Sequence, residues 1–129
     1  MTPELIVLAL AAILQTVQII LAGISAKQDV GTDWLASPRD RKPDLSQRTT
    51  RLRRAVDNHF EGLIFFSIAV ILTVSSNQSS GFTALCAWIY LLARIVYVPA
   101  YVLGWVPGRT IIWGVGFAAT MLMILASLI

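Results

Sequence analysis

Apolar residues run from Leu5 to Ile24 with only Gln15, Thr16 and Gln18 as polar interruptions, a stretch of 20 positions. At about 1.5 Å per residue a helix of that length crosses the ~30 Å hydrocarbon core of a bilayer. Thr2-Pro3-Glu4 supplies no basic segment ahead of it, so the run reads as a spanning helix and not as a signal peptide. The pattern then turns polar from residue 25 to 49, where Trp34, Pro38 and Pro43 mark irregular structure. Ser46 to Thr50 offers good N-cap residues for a second helix, which enters the membrane near Asn58 and runs to Ser76. Asn77-Gln78-Ser79-Ser80-Gly81 is a short uncharged turn. Phe82 to Val106 is a third span, interrupted by Arg94 and ended by Pro107-Gly108, and Thr110 to Ile129 is a fourth. The pattern predicts an all-α membrane protein, a single domain over 1–129 folded as a four-transmembrane-helix bundle. Its spans fall at about 4–26, 54–76, 82–106 and 110–129, and a loop covers about 27–50.

Composition sharpens this reading. The chain is 57% hydrophobic and 13% charged, with mean hydropathy +0.73. Eight of the ten Lys and Arg lie between Lys27 and Arg54, leaving Arg94 and Arg109. A soluble domain spreads its charges over its surface, and this chain does not. The basic segment sits beside spanning helices and so reports topology, placing the 27–54 loop in the cytoplasm. Despite a pI near 9.5, no basic run is interleaved with aromatics, which argues against nucleic acid as a partner. Cys86 is the single cysteine, in an apolar run, so it reads as a small packed hydrophobe. His59 is the single histidine and has no companion ligands, so no metal site is expected.

The second helix carries polar residues straight into its apolar run. Arg54, Asp57, Asn58 and Glu61 stand at i, i+3, i+4 and i+7, one stripe of a helix. Arg94, Tyr97 and Tyr101 repeat the i, i+3, i+7 spacing on the third helix, and Arg109 follows at the mouth of the next turn. The two helices are antiparallel. Glu61 therefore lies roughly 10 Å in from the basic edge, and Tyr101 and Tyr97 lie at roughly 8 and 14 Å. A charge deep in the bilayer costs about 2.5 kcal/mol or more unless it faces a partner or water. The two stripes predict a polar cleft open to the basic side. Its guanidinium groups suit ligand carboxylates, and Glu61 suits an ammonium group. Glutathione, a zwitterion with two carboxylates, an amine and a thiol, fits that inventory.

Arg54-Ala-Val-Asp-Asn58-His-Phe-Glu61 resembles the second-helix signature of the MAPEG family, the membrane-associated proteins of eicosanoid and glutathione metabolism. Arg94-Ile-Val-Tyr97-Val-Pro-Ala-Tyr101, followed by Arg109, is similar to that family's third-helix signature. Length, span number and the long basic first loop match as well, so the resemblance covers the whole chain. It implies a homotrimer with glutathione as cosubstrate between neighbouring protomers near the cytoplasmic face, and a lipophilic small-molecule substrate arriving from the membrane lipids. Carried over by position, Arg54, Asn58 and Glu61 bind the peptide, Tyr97 and Tyr101 line the site, and Arg109 with Tyr101 activates the thiol. Lys27 and Arg51 complete the set of glutathione-binding candidates. The chain departs from the family in two places. Gly62-Leu63-Ile64 stands where eicosanoid-type members often carry an aromatic or other residue and then Pro, and Asp57 puts an acid where some relatives carry Arg or Gln. The resemblance is nearer to bacterial members of the family, which implies a bacterial inner membrane as the location.

Other polar residues have plainer readings. Arg94, the deepest charge, is expected to pair with Glu61 or Asp57. His59 lies off the stripe and is expected at an interfacial or interprotomer contact. Gln15 and Gln18 suit helix-to-helix hydrogen bonds. Trp34 and Trp105 suit interfacial anchors, and Trp88 and Trp113 suit packing. Two function classes fit these residues. One is a membrane glutathione transferase or peroxidase, and the other is a non-catalytic accessory or glutathione- or lipid-binding protein of the same fold.

Overall fold

A computed structural model describes residues 1–36, 45–105 and 108–129. It consists of α1 (Pro3–Ala36), α2 (Gln47–Ser75), α3 (Gly81–Val102) and α4 (Gly108–Ser127). All four are long and apolar enough to span a membrane, and the chain is an integral membrane protein. Pro38, Pro43, Pro107 and the side chain of Trp34 lie outside the described residues.

Local chemistry explains where the helices start and stop. Ser46 caps α2 as its sequence position suggests, accepting from the Thr49 amide at 3.2 Å. Ser80 and Thr83 form a reciprocal capping box that starts α3. Asn77, in the left-handed region at φ 57°, closes α2. Two boundaries differ from the sequence reading. Helix α1 runs past residue 26 to Ala36 but is interrupted by non-helical backbone at Gly31 (φ 82°, ψ 169°), and Asp29, just before that break, is held by the start of α2. The Asp29 carboxylate accepts from the Ser46 amide and hydroxyl, each at 2.8 Å, and from the Thr49 hydroxyl. Helix α3 stops at Val102, before Pro107. Gly104 takes φ 73°, so that Trp105 N donates to Ala100 O at 2.9 Å and Gly104 N to Tyr101 O at 3.1 Å, a Schellman closure. A Cβ on Gly104 would also come within 3.1 Å of the Arg51 guanidinium.

The packing has a central pair. Helices α2 and α3 each touch the other three, whereas α1 and α4 make no contact among the described residues. The core between them is built on Phe66 and Tyr90, whose rings stack 4.0 Å apart at 6°. Val7, Ala11, Ala69, Ala87 and Met123 surround that pair. The outer faces carry Ile13, Ile20, Ile71, Leu92 and Leu125, all exposed, as lipid contact requires. At the end away from the basic loop, the buried Glu4 carboxylate accepts from the Thr83 hydroxyl at 2.6 Å and the Ser79 hydroxyl at 2.9 Å, tying α1 to the α2–α3 turn.

Candidate functional site

Helix phase decides which polar residues turn inward. On α2 the buried positions are Thr49, Leu52, Ala55, His59, Phe66, Ala69, Val70 and Thr73, a 3–4 spacing that puts His59 on the interior face. On α3 the phase through Thr83, Cys86, Tyr90 and Ala93 carries Arg94 and Tyr97 inward in the same way.

These residues meet in a directed chain of hydrogen bonds. Arg94 Nε donates to His59 Nδ1 at 3.1 Å, and Arg94 Nη1 donates to Asn58 Oδ1 at 2.9 Å. A guanidinium only donates, so Nδ1 of His59 must be the bare nitrogen. The proton then sits on Nε2, which donates to the Ala11 carbonyl at 3.0 Å. His59 is thus neutral and joins α1, α2 and α3. By the same reasoning the Asn58 amide has its oxygen turned to Arg94, leaving Nδ2 as a donor. Tyr97 lies under the guanidinium, 4.5 Å from Arg94 Cζ to its ring centroid.

Toward the basic end, Asn58, Tyr97, Tyr101, Arg109, Thr110 and Trp113 line an open cavity of about 240 Å³. Tyr97 and Tyr101 are in ring contact at 5.6 Å, and the Arg109 guanidinium lies 4.7 Å over the Tyr101 ring. One turn of α3, the start of α4 and one residue of α2 therefore place a fixed cation, an amide donor and two phenols around one space. That set can hold an anion and keep it charged.

The family model of MAPEG matches residues 5–129, nearly the whole chain. The chain belongs to the MAPEG family. No curated protein and no solved structure matches it. For a MAPEG protein, a membrane glutathione transferase, peroxidase or related function follows at the level of the family.

Within this MAPEG chain the candidate residues fall into two groups. Asn58, Tyr97, Tyr101 and Arg109 share the cavity. Arg54, Asp57 and Glu61 lie on the same stripe of α2 but are exposed on the outside of the protomer, so the cleft within one chain closes on the Asn58 edge alone. Lys27 is exposed near the basic end of α1. Arg51 donates from Nη1 to Val102 O at 3.0 Å, where a cation complements the C-terminus of α3.

Two expectations are corrected. Arg94 is buried, but its described partners are Asn58 and His59, not Glu61 or Asp57, because Asp57 and Glu61 sit on the far side of the stripe. His59 is fully buried inside the protomer and is not an interfacial contact. Its place on the Leu52–Ala55–Phe66 phase was the available signal. Gln15 does bond across helices, donating to Val56 O at 3.4 Å, while the buried Gln18 amide has no partner among the described residues. Thr110 and Trp113 are site residues that motif reasoning missed. Trp113 stacks on Phe117 at 5.2 Å, and its wall of the cavity shows only once α4 is packed.

Proposed function

We propose that this protein is a membrane-bound glutathione transferase or peroxidase that sets a glutathione thiolate against lipophilic electrophiles. The observation that carries the reading is the convergence of Asn58, Tyr97, Tyr101 and Arg109 on one cavity at the basic end. Asn58 Nδ2 donates to a carboxylate or carbonyl of the peptide. A free thiol with pKa about 8.5 is only a few per cent ionised at neutral pH. The Arg109 guanidinium favours the thiolate, the more so where water is partly excluded, and the Tyr101 hydroxyl donates to the same sulfur.

The thiol proton passes to solvent. The thiolate then attacks an electrophilic carbon, a C–S bond forms, and the leaving group departs with its electron pair. With a hydroperoxide the sulfur attacks the distal oxygen and the O–O bond breaks. The alkoxide takes a proton, and a second glutathione converts the sulfenic acid to disulfide and water.

The exposed Arg54, Asp57 and Glu61 support assembly with a neighbouring copy, and the resemblance to the family implies that the assembly is a homotrimer. Charges on a lipid-facing surface cost about 2.5 kcal/mol or more each, so a neighbouring copy covers this face. Arg54 and Glu61 then close on the peptide from that interface, with Lys27 and Arg51 at its edge, and the positive-inside rule puts the site on the cytoplasmic side. Asp57 favours the second reading, a glutathione- or lipid-binding protein without turnover, because an added acid weakens the hold on an anionic peptide. Glutathione-dependent thermal stabilisation of the detergent-purified protein, with conjugation of a chlorodinitrobenzene electrophile, supports the transferase. Stabilisation without turnover of that electrophile or a lipid hydroperoxide supports the binding protein. No stabilisation by glutathione rejects the transferase and the glutathione-binding protein, and leaves the accessory or lipid-binding protein.

A further inference from the structure

Behind the hydrogen bonds from Arg94 to His59 and Asn58, α2, α3 and α4 enclose a second space of about 20 Å³. Gly62 on α2 and Gly116 on α4 both line it, and a Cβ on Gly116 would stand 3.5 Å from Ala93 Cβ and 3.7 Å from Tyr90 Cδ2. A Cβ on Gly62 would stand 3.6 Å from Tyr90 Oη and 4.0 Å from Arg94 Nη1. Phe65, Phe117 and Trp113 form the outer wall, Phe65 meeting Phe117 edge-on at 6.2 Å. Trp113 also lines the larger cavity, so the two spaces are neighbours.

Two donors on this wall have no protein partner among the described residues, Arg94 Nη2 and Tyr90 Oη. Both side chains are almost wholly buried, Arg94 at 3% exposure and Tyr90 at 2%. Thr120, also on the wall, donates its proton to Gly116 O at 2.9 Å and adds no third donor. The positive charge of Arg94 is equally unanswered. Its described partners are a neutral imidazole and a neutral amide. The volume exceeds the ~10–15 Å³ that one water needs, and a carboxylate with its substituents does not fit it.

We propose that this cavity is a binding site for a single halide-sized monovalent anion, held by Arg94 Nη2–H and Tyr90 Oη–H. A water would satisfy the two donors but leave the guanidinium without a counter-charge, and a buried unpaired charge is far costlier than a buried unpaired hydroxyl. The attraction is strengthened in this setting, where the effective dielectric constant is about 20 instead of about 80. The site is built on Gly62, whose missing side chain leaves the space beside Tyr90 and Arg94 open. Apart from Trp113, no residue of the second cavity lines the first, but Arg94 touches the wall of both through Asn58 and Tyr97.

The test uses the full-length protein in detergent, exchanged from chloride into gluconate at constant ionic strength, since gluconate is too large to enter. Chloride and bromide are each expected to raise Tm saturably over gluconate. Crystals grown in bromide are expected to show an anomalous peak within hydrogen-bonding distance of Arg94 Nη2. Gly62→Ala fills the space and should abolish the halide-dependent shift. Tyr90→Phe keeps the volume, removes one donor to the anion, and should weaken halide affinity about ten-fold. Equal Tm in gluconate and chloride, a shift that survives Gly62→Ala, or density at the site without a bromide signal overturns the proposal in favour of a plain water. If Gly62→Ala does not fold, Tyr90→Phe decides, and unchanged halide affinity there overturns it.

Discussion

Arg94 Nε donates to His59 Nδ1 at 3.1 Å inside the protomer, and this bond fixes the tautomer of the one and the orientation of the other. Because the proton on His59 Nε2 goes to the Ala11 carbonyl, a side chain that receives on one side and donates on the other is needed there. Glutamine can do both, and phenylalanine neither. Stability is expected to fall in the order parent, His59→Gln, His59→Phe, with the last losing about 1–3 kcal/mol through the unsatisfied Arg94 and carbonyl. Denaturation in mixed detergent measures this. Equal stability of the Gln and Phe variants would remove the directed chain from consideration.

Arg109 is expected to carry the thiol chemistry. Arg109→Ala should keep the fold, lose most of the ultraviolet thiolate absorbance of bound glutathione at neutral pH, and regain part of its activity as pH rises toward the free thiol pKa of about 8.5. A variant that binds glutathione and forms thiolate like the parent would leave Arg109 as a topology residue.

Arg54 and Glu61 are expected to hold opposite ends of the peptide from the covered face of α2. Arg54→Ala or Glu61→Gln removes a charge-assisted contact, which costs about 1.5–3 kcal/mol, or roughly ten- to a hundred-fold in affinity. Calorimetric titration of each folded variant measures it. Unchanged affinity in both would assign the stripe to assembly alone.

Glu4 anchors the opposite end of the bundle through Ser79 and Thr83. Glu4→Ala leaves the Ser79 hydroxyl without its acceptor and Thr83 with only the Ser80 carbonyl at 3.1 Å, and is expected to cost about 1–3 kcal/mol of stability. Glutathione affinity should not change, because a spanning helix of ~30 Å separates Glu4 from the cavity. Parallel melting and binding measurements separate the two effects.

Gln47, exposed at the first turn of α2, is expected to face the cytoplasm. In a Cys86→Ala background, a cysteine at position 47 should react with a membrane-impermeant maleimide only after the cells are opened. Labelling of intact cells would invert the topology.

Much of this was legible in the chain because the governing forces are local. Run length located the spans, the Ser46–Thr50 stretch announced the cap of α2, and the helical spacings named Asn58, Tyr97 and Tyr101. Phase was the weaker signal. A stripe of four polar residues covers a broad arc of a helix, and only packing shows that its Asn58 edge turns inward while Asp57 and Glu61 face out. Asp29, just before the break in α1, is held by bonds to a later helix, and no local rule anticipates that. The stop at Gly104 was readable from its glycine, but the neighbouring proline drew the boundary too late.

The absence of contact between α1 and α4 among the described residues bears on how this scaffold can vary. Energetic coupling between substitutions fades when they share no neighbours. Double-mutant cycles pairing α1 with α4 should therefore be close to additive, whereas those pairing α2 with α3 should not. Helix α4 brings Arg109, Thr110 and Trp113 to the cavity while resting on the central pair alone. A lineage can thus retune the chemistry contributed by α4 without renegotiating the anchorage of α1, and change in one outer helix is not held hostage to the other.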